Sequence, residues 1–110
     1  MSEGRFPYHG PEELLPVITA ALERVVDPEV ALNIVDVGLV YGVTVAGGRV
    51  DVKVTMTSAA CPVADIIVGD IEIELDRALP ADLKIHVELV WEPPWTPERM
   101  SEQARGFMGW

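Results

Sequence analysis

The sequence predicts an α/β fold: a two-layer sandwich of order α-β-β-α-β-α, with helices packed on a three-stranded sheet. Three observations carry it. Apolar residues recur at helical spacing through 14–25 and again through 64–78. Two alternating runs meet at Gly47-Gly48, a dipeptide suited to a tight hairpin turn. A third alternating run, 83–91, follows the second helical stretch, which makes that stretch a crossover between strands.

Residues 1–10 show no period and hold Gly4, Pro7 and Gly10, so they read as a flexible or loosely docked arm, and residues 11–110 as a single domain. His9 in that arm receives no role. Pro11 can open the first helix, with Glu12 and Glu13 in its first turn, where acids suit the helix dipole. Leu14, Leu15, Ile18, Ala21, Leu22 and Val25 form its stripe, to about Val26, and Pro16 allows a start a few residues later. Asp27-Pro28-Glu29 closes it, since a residue before proline avoids the helical region.

Val35, Val37, Leu39, Tyr41, Val43 and Val45 alternate with Asp36, Gly38, Val40, Gly42 and Thr44, which predicts a half-buried strand. Beyond Gly47-Gly48, the second strand, 49–57, turns Val50, Val52, Val54 and Met56 inward. The helix after Pro62, to about Leu79, carries Ala64, Ile67, Val68, Ile71, Leu75 and Ala78 on one stripe; Val63, Ile66 and Ile73 lie off it. Apolar coverage wider than one sheet face requires suggests a second contact, with a homodimer partner as the candidate. Its acids, Asp65, Asp70, Glu72, Glu74 and Asp76, read as a solvated face rather than as paired catalytic carboxylates. The third strand holds Leu83, Ile85, Val87, Leu89 and Trp91 opposite Lys84, His86 and Glu88; if parallel to the second, its crossover should be right-handed. Thr96-Pro97 reads as the N-cap and first position of a final helix carrying Met100, Ala104 and Phe107, with Trp91 and Trp95 packing the tail on the core.

At 110 residues and 49% hydrophobic, the chain supports one packed core. Its net charge of −10 argues against nucleic acid and anionic membranes, both of which call for clustered Lys and Arg. No apolar run approaches the ~20 residues of a membrane span, so a cytoplasmic protein is expected. One cysteine forms no internal disulfide, in keeping with a reducing compartment.

That cysteine stands where the second strand runs out: Thr55-Met-Thr-Ser-Ala-Ala-Cys-Pro62. Pro62 suits a first helical position, which puts Cys61 at or beside the N-cap. Unpaired N–H groups and the helix dipole there favour the thiolate, lowering a cysteine pKa from ~8.5 to roughly 3.5–7.5. Cys61 is therefore a candidate nucleophile or metal ligand. The plainer reading, a small apolar filler at a strand-to-helix corner, stands beside it.

Asp27-Pro-Glu, then Asn33-Ile-Val-Asp-Val-Gly-Leu-Val-Tyr41, then Thr55 to Pro62, then Pro93-Pro-Trp-Thr-Pro-Glu-Arg-Met-Ser101, resembles the small iron–sulfur assembly domains of the SufT and PaaD type. The eukaryotic cytosolic iron–sulfur targeting subunit is similar to them, as is the N-terminal domain of some ATP-dependent cluster carriers. The resemblance spans about residues 11–109. It implies a maturation factor that helps deliver iron–sulfur clusters, as adaptor or transient carrier, and not a metabolic enzyme. Carried over by position, its functional site is Cys61, Thr57 and Asp27, with Cys61 a transient metal ligand. Ala60 stands where the family often has glycine, so the loop lacks glycine's left-handed freedom there. PaaD proteins tend to carry a further cysteine-bearing extension, so the stand-alone SUF-linked type is the expectation.

An iron–sulfur cluster typically takes about four thiolates, and this chain has one. No tightly bound cofactor is expected, and a transient cluster is the one candidate. A symmetric dimer would supply a second thiol. The implied partners are scaffold or carrier proteins and client apoproteins. The alternative is a thiol-dependent enzyme with Cys61 as nucleophile, for which no second cysteine or evident base is supplied; His86 is the nearest candidate for a pairing. An RNA-binding domain of similar element order fails on charge and lacks a Gly-x-x-Gly loop.

Overall fold

A computed structural model gives the structure, which describes residues 6–28, 31–56, 63–92 and 94–108. In chain order these form β1 (Tyr8–His9), α1 (Leu15–Glu23), β2 (Val26–Asp27), β3 (Leu32–Asn33), α2 (Ile34–Val37) and β4 (Val40–Ala46). They continue as β5 (Arg49–Val54), α3 (Val63–Ala78), β6 (Lys84–Leu89) and α4 (Glu102–Met108). Short 3-10 turns at Glu12–Leu14 and Pro97–Arg99 precede α1 and α4.

The expected three-stranded sheet is corrected: the main sheet has four strands, ordered β1-β4-β5-β6, and β2 pairs with β3 in a separate ribbon. β4 and β5 form the antiparallel hairpin, and β6 lies parallel to β5 with α3 as the crossover. The added strand, β1, runs parallel to β4 through Tyr8↔Val43 and His9↔Thr44. Two residues are too few to leave a period in the sequence. Within the 1–10 stretch, the described residues 6–10 are docked. Phe6 is buried, and the Tyr8 hydroxyl donates to the Pro11 carbonyl at 2.6 Å. Burial and the Glu13 carboxylate raise the Tyr8 phenol above its ordinary pKa.

Gly47 and Gly48 sit at φ 60° and 75°, the paired positive values that a two-residue hairpin of the primed kind needs. The β5 row falls as its alternation predicts: Val50, Val52, Val54 and Met56 are all buried. Against it lie Ala64, Ile67, Ile71 and Leu75 of α3, each large side chain contributing ~1.5–3 kcal/mol by burial. α1 packs beside α3, and Arg24 at its end pairs with Glu74, Nε to Oε1 at 2.9 Å.

Two expected elements differ. Residues 35–39 are not strand: Ile34–Val37 wind one helical turn, and β4 starts only at Val40. Asn33 caps that turn, its Oδ1 accepting from the Asp36 N–H at 2.9 Å, and Gly38 ends it in the left-handed region at φ 86°. An N-cap and a C-terminal glycine outweigh the alternation between them. A bulge at Val40/Gly42 then resets the register. In the tail, Pro97 opens the 3-10 turn instead of the final helix, and α4 is capped by Ser101, whose Oγ accepts from the Ala104 N–H at 3.1 Å. α1 also ends earlier than expected, at Glu23, because Val26 and Asp27 pair with Asn33 and Leu32.

Candidate functional site

Of the three residues singled out, Asp27 is described, and Thr57 and Cys61 lie outside the described residues. Asp27 is only 1% exposed, on β2. Its carbonyl accepts from the Ala31 N–H at 2.8 Å, across a turn in which Ala31 takes φ 61°. The cysteine-bearing stretch runs between two described segments. Thr55 and Met56 are buried on one side, and α3 begins at Val63 on the other.

Backbone hydrogen bonds tie the Asp27 segment to that stretch. The Ile34 N–H donates to the Val25 carbonyl at 3.0 Å, the Leu39 N–H to Ile34 at 2.9 Å, and the Thr55 N–H to Leu39 at 2.9 Å. The tail closes over the same place. Trp95 Nε1 donates to the Val37 carbonyl at 2.8 Å, and the Ser101 N–H to the Asp36 carbonyl at 2.8 Å. Gly38 lies so close to the tail that a Cβ there would fall into the Arg99 carbonyl. Motifs separated by tens of residues in sequence thus share one end of the domain, built around the α2 turn.

Beside this frame, Tyr41, Lys53, Val90, Glu92 and Arg99 line a groove of about 370 Å³. The Arg99 guanidinium stands 4.3 Å from the centre of the Tyr41 ring, a cation–π distance. Lys53 and Arg99 outnumber Glu92 among the charged residues of the groove, within a chain of net charge −10. A hydrogen bond from Thr96 holds the Glu98 carboxyl below its ordinary pKa, with the backbone and Arg105 adding to the effect. Sequence reasoning missed Arg99 and Tyr41 as partners; the one mark available to it was Gly38, whose missing Cβ leaves room for the Arg99 backbone.

His86 is exposed on β6. Among the described residues, no three His, Cys, Asp or Glu side chains gather as a metal site. No helix among them is long and apolar enough to cross a membrane. Trp95 packs on the core as expected, whereas Trp91 stays 44% exposed.

Residues 16–88 match the family model described as "Iron-sulfur cluster assembly protein". The chain is 42% identical to the "Fe-S protein maturation auxiliary factor YitW" of Bacillus subtilis (strain 168), over 89% of this chain and 96% of that one. It is 38% identical to the "Fe-S protein maturation auxiliary factor SufT" of Staphylococcus aureus (strain USA300), over 77% of this chain and 97% of the other. Among solved structures, it resembles a Bacillus anthracis protein described as a domain of unknown function, DUF59, with a TM-score of 0.83 and 41% identity. That likeness covers 89% of this chain and 93% of the other.

Proposed function

The chain belongs to the iron–sulfur cluster assembly protein family, and from that premise we propose that it is a maturation factor that presents Cys61 to clusters in transit toward client apoproteins. The observation that carries this reading is the convergence of the family-like motifs on the α2 turn. Asp36, Val37 and Leu39 are hydrogen-bonded there to Ser101, Trp95 and Thr55. That frame fixes Thr55, where the chain leads into the cysteine-bearing stretch, through its bond to Leu39.

One cysteine falls short of the typical ligand set, so the cluster is cargo and its remaining ligands come from the carrier or the client. Asp27, itself buried, acts by shaping the turn that leads to α2, and Thr57 orients the thiol. The partners are scaffold or carrier proteins on one side and client apoproteins on the other, with relatives named as maturation auxiliary factors in support.

Anaerobic reconstitution with iron and sulfide tests how the thiol is used, comparing wild type with Cys61→Ser by visible absorption and by mass on a sizing column. Charge-transfer bands that depend on Cys61 make the protein a carrier in its own right. Bands absent from both proteins make it an adaptor, whose thiol acts only inside a complex. Equal bands in both proteins remove Cys61 from the account.

A further inference from the structure

β6 is the outer strand of the main sheet, and among the described residues nothing pairs with its far edge. The Lys84 N–H donates to Gly48 at 3.0 Å and the Val90 N–H to Val54 at 2.8 Å, so Lys84, His86, Glu88 and Val90 turn their backbone groups toward β5. In a parallel ladder alternate residues serve alternate neighbours, which leaves the N–H and C=O groups of Ile85, Val87 and Leu89 facing the open edge. The strand has no proline and the bulge in this sheet lies between β4 and β5, so of the usual blocks to edge pairing β6 carries only its charged residues, Lys84 and Glu88, which stand on the face opposite Ile85, Val87 and Leu89.

The edge is also only half covered from above. Ile85, Val87 and Leu89 are each part-exposed, where the corresponding row of β5 is fully buried. Glu72, Ile73 and Asp76 of α3 face Leu83, Lys84 and Ile85 across a groove of about 560 Å³. Asp65 and Gly69 continue the flank of Glu72 and Asp76 at three- and four-residue spacing, and a Cβ at Gly69 would meet nothing within 4 Å. The basic residue of α3, Arg77, sits instead with Glu74, which also holds Arg24 of the neighbouring helix. The roof over the free edge is therefore acidic.

We propose that this edge accepts, as an added strand, an extended segment of a partner protein bearing Lys or Arg at alternate positions. The backbone of that segment would pair with Ile85, Val87 and Leu89. Its aliphatic stems would cover the half-buried row of β6 while its cationic heads reach Asp65, Glu72 and Asp76. Charge decides against a second copy, which would bring the same acidic roof and a further net charge of −10. The inference does not depend on cluster chemistry, so either reading can fail alone.

The probe is a short peptide alternating Lys with Val, titrated into the full chain and followed by amide NMR shifts, with a Glu-Val peptide as control. Shifts centred on Ile85, Val87 and Leu89, absent with the control, are expected. Glu72→Lys with Asp76→Lys should weaken binding about tenfold or more, because two attractions to the cationic heads become repulsions. Val87→Pro removes an outward N–H without breaking the β5 ladder and should abolish the edge shifts in a chain whose other amide signals are unchanged. Binding that survives both changes, or shifts centred elsewhere, would overturn the proposal. So would a concentration-dependent dimer that Val87→Pro dissociates, since it would give the edge to a second copy. Should Val87→Pro fail to fold, the paired Lys substitutions decide alone.

Discussion

The indole nitrogen of Trp95 donates to the carbonyl of Val37 across 2.8 Å, joining a residue of the C-terminal tail to the last residue of α2. The bond satisfies one of the carbonyls that a one-turn helix leaves without an internal partner. Trp95→Phe keeps most of the packing and loses the bond, so urea unfolding should show a loss of about 0.5–1.5 kcal/mol. Trp95→Ala also empties the packing of a half-buried ring and should cost clearly more than Trp95→Phe.

Gly38 separates two demands that glycine meets. Its φ of 86° disfavours any side chain, and the Arg99 backbone occupies the place of a Cβ. Gly47, at φ 60° with nothing within 4 Å, makes only the first demand. Gly47→Ala should therefore cost about 1–2 kcal/mol, the left-handed penalty alone. Gly38→Ala should cost clearly more and shift the amide signals of Arg99 and Ser101. Equal losses at the two positions would show that the tail does not press on α2.

Thr19 is buried on α1, and among the described residues its hydroxyl has no hydrogen-bond partner. Thr19→Val keeps the shape and removes a desolvated polar group. Thermal unfolding should show it neutral or stabilised by up to ~1 kcal/mol. A marked loss of stability would reveal a partner for that hydroxyl.

The alternation of β5 and the stripe of α3 were legible because both elements bury one face against the same core, and a period records that. The α2 turn was not read, although Asn33 and Gly38 are a good cap pair. Val35, Val37 and Leu39 are all buried, and in sequence that imitates the inward row of a strand. β1 and the β2–β3 ribbon are too short for any period. The family was legible from its motifs, because residue identity carries them. The frame around α2 was not, because Trp95, Ser101 and Thr55 are held by main-chain carbonyls, and a main-chain acceptor leaves no mark on residue identity.

Glu98 has a lowered pKa in the folded chain, chiefly through its hydrogen bond with Thr96. A depressed carboxyl contributes stability above its unfolded pKa, near 4.5, and loses it as pH falls through the lower folded value. Carboxyl NMR titration of Thr96→Val should move Glu98 back toward the ordinary value. In wild type, the tail signals near Arg99 should begin to change only below about pH 4.5, at more acid pH than in the variant.

Asp27 is buried at the start of the turn to Ala31, which makes a shaping role the expected one. Asp27→Ala should lower stability by about 1–3 kcal/mol, as for a buried polar group whose partners are left behind. Unchanged stability together with lost maturation activity would give Asp27 a direct chemical role instead.

The central claim is that this protein serves iron–sulfur maturation through Cys61. Its most direct test is the activity of iron–sulfur client enzymes in cells that lack the native protein and carry either wild type or Cys61→Ser, at matched expression. Restoration by wild type and failure of Cys61→Ser, with the variant folded and present, is the result predicted. Full restoration by Cys61→Ser would contradict it, leaving the thiol a filler at the head of α3.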